Sequence, residues 1–115
     1  MAIAFAACSQ SPGGGSAATE TVLHLAADDL RFDPVRLAVP VGTAFEIELD
    51  NRERGIPHNV AVYRDAAATD ALARGEVSIG PATTRTTVAA LPAGAYVFRC
   101  DVHRPGMTGT LDVGG

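Results

Sequence analysis

The sequence predicts an all-β chain, a β-sandwich of about seven short strands with one short helix. Three observations lead there. Short runs rich in Val, Ile, Leu, Phe and Thr recur from residue 21 to residue 113, several with period-two alternation. Turn signals built from Gly, Pro, Asp and Asn separate them. Only one stretch, 65–76, has the composition of a helix.

TVLHLAA (21–27) reads as a half-buried strand with apolar residues on both faces. DDLRFDP (28–34) is a turn with Asp-rich, Pro-bounded ends, and VRLAV (35–39) is a second strand closed by Pro40. TAFEIELD (43–50) alternates cleanly: Phe45, Ile47 and Leu49 face one way, Glu46 and Glu48 the other. NRERGIP (51–57) is a polar loop. HNVAVY (58–63) follows as a strand, with Val60 and Val62 on one side and Asn59, Ala61 and Tyr63 on the other. DAAATDALARGE (65–76) is the helix candidate, ended by Gly75. TTRTTV (83–88) is rich in β-branched residues, LPAG (91–94) turns, AYVFRC (95–100) alternates, and GTLDV (109–113) is the last strand.

The 115 residues suffice for one domain with a single core. Hydrophobic content is 47%, but 21 of those residues are Ala, so the core is smaller than the figure suggests. Net charge is −4, and all nine cations are Arg. No clustered basic face is available for nucleic acid. Residues 1–8 end in AIAFAAC, a signal- and lipobox-like segment with small residues before Cys8, though without a basic n-region. Residues 9–20, SQSPGGGSAATE, read as a flexible linker, and 21–115 as the folded domain. Such a leash suits a lipid anchor at Cys8 and a place outside the cytoplasm, periplasmic or extracytoplasmic. An unmodified tail, or a Cys8–Cys100 disulfide, is the alternative.

The chemistry concentrates in CDVHRPGM (100–107). Cys100, His103 and Met107 offer thiolate, imidazole and thioether from one turn. Soft donors of this kind select copper. Hard ions want oxygen, and this turn offers only Asp101. Zinc accepts Cys and His but has no use for thioether. Pro105 and Gly106 make a tight loop plausible. Taken alone, Cys100 also fits a buried thiol, Met107 core filler, and His103 a solvent-facing turn residue. A fourth donor comes from His58, at a strand start in GIPHNV; it shares a sandwich end with Cys100 if the two strands run antiparallel. His24, flanked by leucines, reads as a surface or edge histidine.

GIPHNV, then LPAGAYVFRC, the turn CDVHRPGM and the closing TGTLDV together resemble the cupredoxins, the small blue-copper proteins related to plastocyanin, pseudoazurin and amicyanin. The likeness covers roughly Thr21 to Val113. It implies a Greek-key β-sandwich and one type 1 copper ion. Carried over residue by residue, it implies His58, Cys100 and His103 as equatorial ligands and Met107 as the weak axial one. Asn59 would buttress the ligand loop through hydrogen bonds near the cysteine, and an edge of His103 would reach the surface as a doorway for partners.

The expected function is electron carriage without catalysis: a monomer passing single electrons between redox partners such as a cytochrome, oxidase or reductase. Copper storage or delivery is the alternative. An enzyme would need a second copper site, for which His24 alone remains.

Overall fold

Residues 21–103 and 106–114 are described by the computed structural model. The segment 1–8 with Cys8, the linker 9–20, Arg104, Pro105 and Gly115 lie outside the described residues. Among the described residues, eleven strands form: β1 (Val22–Asp28), β2 (Arg31–Asp33), β3 (Arg36–Pro40), β4 (Phe45–Asn51), β5 (Pro57–His58), β6 (Ala61–Tyr63), β7 (Ala71–Arg74), β8 (Ser78–Ile79), β9 (Ala82–Val88), β10 (Gly94–Arg99) and β11 (Thr108–Gly114).

Alternation along β4 sets one wall of the sandwich. Phe45, Ile47, Leu49 and Asn51 are buried, and the residues between them face partly outward. β4 lies between β9, antiparallel, and β1, parallel, and β2 closes the sheet in the order β9-β4-β1-β2. The second sheet runs β3-β11-β10-β6-β7, and β5 pairs separately with β8. Phe98, Leu111 and Val113 meet Leu25, Phe45, Ile47 and Leu49 in the core between the sheets. Leu111 and Phe98 have no accessible surface, so each contributes about 1.5–3 kcal/mol of burial.

The structure corrects three expectations. No helix forms over 65–76. Asp65 instead caps a tight turn, its Oδ1 accepting from the Ala67 N–H (3.0 Å), and Ala68 takes a left-handed φ of 56° that stops a helical path. Residues 71–74 then pair antiparallel with β6, placing Leu72 and Ala73 against the core. An isolated helix of this length is marginal in water, so strand pairing wins. Gly75 ends no helix; it permits close approach, since a Cβ there would lie 2.8 Å from the Val60 carbonyl oxygen and collide with the Thr86 hydroxyl. The 28–34 stretch is more than a turn. Asp29 and Leu30, both at positive φ, make a two-residue hairpin loop that returns the chain as β2. Finally, 58–63 is not one continuous strand: His58 ends β5 and Ala61–Tyr63 form β6. Val60 and Val62 face the core and Tyr63 the other side, as expected, but both faces are buried. Tyr63 is covered from outside by Arg74 and Arg99, whose guanidinium carbons lie 5.9 and 5.0 Å from its ring centre.

Candidate metal centre

β6 and β10 pair antiparallel, with Ala61 opposite Arg99. The residues just before β6 therefore meet the residue just after β10, which brings His58 to Cys100 across 42 positions of sequence. His58 Nδ1 lies 3.9 Å from Cys100 Sγ. His103 joins them: its ring centre is 4.7 Å from that of His58, and donor atoms of His58, Cys100 and His103 all fall within 4.8 Å of one another. No other such group of His, Cys, Asp or Glu occurs among the described residues. His58 and Cys100 are fully buried, Met107 is 2% exposed, and His103 is half-buried. Cys100 is a free thiol.

Backbone contacts close the ligand turn at its neck. The Cys100 N–H donates to the Met107 carbonyl (3.0 Å), and the Met107 N–H donates to the His103 carbonyl (3.3 Å). Asn59 ties the turn to the sheet. Its Oδ1 accepts from the Asp101 N–H (2.8 Å), and its Nδ2 donates to the Gly75 carbonyl (3.1 Å) and to Asp101 Oδ2 (3.3 Å). The loop buttress expected of Asn59 is thus present, one residue past the cysteine.

Several residues around the site were not legible in the sequence. Tyr63 donates to Asp101 Oδ1 (2.5 Å), and Arg74 Nε donates to Asp101 Oδ2 (3.1 Å). Burial acts to raise the Asp101 carboxyl. Hydrogen bonds from Tyr63 and Asn59 and the charge of Arg74 overcome it and hold the group below its ordinary value. On the other side, Glu53 Oε1 lies 2.8 Å from His58 Nε2. That hydrogen bond first, then one from the Leu30 N–H, holds the Glu53 carboxyl below the usual carboxylate range. The loop carrying Glu53 is shaped by Asn51, whose side chain binds the Ile56 and Ser78 carbonyls and the Glu53 N–H. No sequence pattern marks a carboxylate five residues before a histidine as its partner.

His103 differs in part from expectation. Its Nε2 is engaged by the Pro57 carbonyl oxygen at 2.7 Å. A carbonyl only accepts, so this nitrogen carries the proton, and in the neutral ring the lone pair is on Nδ1. Pro105, expected to stiffen the turn, lies outside the described residues. His24 is exposed on the outer face of the first sheet, where its Nδ1 meets Glu48 at 2.9 Å, away from the cluster.

Two imidazoles and a thiol converge, two of the three fully buried, with a buried methionine at the neck of the same turn. This donor set fits a single copper ion; the oxygen ligands that calcium or magnesium require are lacking. The fold and the site therefore define a β-sandwich metalloprotein with one sulfur–nitrogen centre.

The chain belongs to the cupredoxin-like domain family, whose model matches residues 1–113. Its fold is similar to that of auracyanin A, a "blue" copper protein from the green thermophilic photosynthetic bacterium Chloroflexus aurantiacus: TM-score 0.73, 22% identity, covering 81% of this chain and 98% of that one. Reduced auracyanin from Roseiflexus castenholzii matches with a TM-score of 0.74 at 21% identity, over 84% and 99% of the two chains. Amicyanin from Paracoccus versutus gives 0.59 at 20% identity, over 82% of each.

Proposed function

We propose that the chain is a type 1 copper protein that carries single electrons between redox partners outside the cytoplasm. The observation that carries this reading is the convergence of His58, Cys100 and His103 donor atoms within 4.8 Å. Its setting is a fold similar to those of blue copper proteins. His58, Cys100 and His103 would hold the ion in the plane, and Met107 would stand as the weak axial donor. The bound ion would supply one-electron redox chemistry.

The chain's own part is to hold these donors still. His58 is fixed at the end of β5, and Cys100 by Asn59 on the following N–H and by the neck hydrogen bonds. Burial of His58 and Cys100 excludes water from their donor atoms. Electrons would pass at His103. Pro57, whose carbonyl holds that ring, is paired to Ile79, and Val102 precedes His103 in the chain. Ile79 (57% exposed) and Val102 (41%) give a partner such as a cytochrome, oxidase or reductase an apolar surface to meet. The working form is a monomer, tethered to the membrane by lipid on Cys8. The small residues before Cys8 and the Gly- and Ser-rich 9–20 stretch support the tether.

The test is the visible spectrum of protein loaded with Cu(II). An intense thiolate-to-copper band that bleaches with one equivalent of reductant and returns on reoxidation is expected. It should vanish in Cys100→Ser. A colourless Cu(II) complex in the unaltered chain refutes the reading. Copper leaving readily to a mild chelator would favour delivery over electron carriage.

A further inference from the structure

The geometry points to Glu53 as a positioning residue for the metal. Its carboxylate, behind His58, fixes the tautomer of that ring and adds a negative charge to the site. This inference rests on the copper reading above.

His58 has no accessible surface, so its Nε2 cannot use water and needs a protein partner. Glu53 Oε1 is that partner, at 2.8 Å. The same oxygen lies 3.0 Å from the Leu30 N–H. A backbone N–H can only donate, so Oε1 is an acceptor there, and it accepts from His58 as well. Nε2 therefore carries the proton. The neutral ring then has its lone pair on Nδ1, the atom 3.9 Å from Cys100 Sγ. Metal-binding imidazoles are commonly set by a carboxylate on the far nitrogen.

Glu53 is itself held on several sides. Its N–H donates to Asn51 Oδ1 at 3.0 Å, and its carboxylate takes the Leu30 N–H. Leu30 reaches it from the β1–β2 turn, at a φ of 56°. A bulky residue is uncommon in that region, and the strain is kept where it delivers an N–H to Glu53. The two imidazoles are thus backed unequally. His103 has the same tautomer, but its partner is the neutral Pro57 carbonyl. Among the described residues, only His58 is backed by a charge. A negative charge favours the more positive metal state, so Glu53 weights the site toward Cu(II) and lowers its potential.

Three measurements on Glu53→Gln and Glu53→Ala test this. In metal-free protein, long-range 1H–15N spectra should show His58 protonated at Nε2. Glu53→Gln can still accept through its amide oxygen and should keep that tautomer; Glu53→Ala should lose the preference. Titration with Cu(II) against a competing chelator should show Glu53→Ala binding about 10–100-fold more weakly. Glu53→Gln should weaken Cu(II) about tenfold with little change for Cu(I). By voltammetry that is an upward shift of about 59 mV for a one-electron couple. Unchanged potential in Glu53→Gln overturns the charge role. An Nδ1-protonated His58 in the metal-free chain overturns the positioning role. That spectrum needs no copper, so it judges Glu53 even if the unaltered chain proves not to bind the metal. A blue band in the unaltered chain with either contrary result sinks Glu53 alone.

Discussion

Asn51→Ala probes how the metal centre is supported from below. Asn51 is fully buried. Its Nδ2 donates to the Ile56 and Ser78 carbonyls, both at 3.0 Å, and its Oδ1 accepts from the Glu53 N–H, also at 3.0 Å. Alanine abandons all three backbone groups. At about 1 kcal/mol net per hydrogen bond, the loss is about 3 kcal/mol. For a domain of this size that lowers the melting temperature by roughly 12–24 °C. Urea unfolding of metal-free protein, followed by far-UV circular dichroism, measures the first figure. Native-state hydrogen exchange locates it: the Glu53 amide should lose protection well before the amides of β10. Asn51→Asp should be no milder near neutral pH, because it turns a double donor into lone pairs facing two carbonyl oxygens. A loss below about 1 kcal/mol, with the Glu53 amide still protected, would refute the reasoning. Asn51 would then not be what holds the loop beneath His58.

Met107→Leu keeps the buried volume, so the metal-free protein should lose less than about 1.5 kcal/mol, whereas Met107→Ala should lose about 2–5 kcal/mol. Loaded with copper, the leucine variant should stay blue and show a higher potential by voltammetry; an unchanged potential would remove Met107 from the axial position. Tyr63→Phe deletes the donor 2.5 Å from Asp101. Asp101 has a depressed carboxyl in the folded state, so its contribution is fully present above the unfolded carboxyl value of about 3.9 and is lost as pH falls through the folded one. The variant should therefore cost about 1 kcal/mol at pH 7, a figure kept low because solvent reaches Asp101. The gap in urea midpoints should shrink as pH falls below the unfolded carboxyl value, and a constant gap would mean that Asp101 is not the group involved.

The sandwich was legible where one face of a strand is buried. Phe45, Ile47 and Leu49 repeat with period two because one side of β4 meets the core and the other meets water. The meeting of His58 with Cys100 was legible for a related reason: antiparallel pairing sets a strand start beside a strand end, and Ala61 does lie opposite Arg99. Composition misled at 65–76. Ala and Leu favour helix only weakly, and neither reports that β6 offers an unpaired edge to residues 71–74. β2 escaped notice because three residues cannot display a period. Glu53 escaped because its reach to His58 depends on the path of the 51–56 loop. That path is set by the buried Asn51 amide and by Gly55 at a φ of 78°. Neither leaves a repeating pattern.

Support around the donors is uneven, and the unevenness has a direction. Cys100 sits at the end of a core strand, pinned by the Met107 carbonyl on its own N–H and by Asn59 on the next one. His58 is sealed inside the sandwich with a charged acceptor on its outer nitrogen. His103 is half-buried and, among the described residues, has one side-chain hydrogen bond, to Pro57. Sulfur and one imidazole are thus fixed from the core, which under the proposed function would keep ligand movement small between two oxidation states. The third donor has the least support and stands beside the exposed Val102. Under the proposed function, a partner docking there would meet the half-buried ring, while the pair held from the core would keep the donor geometry.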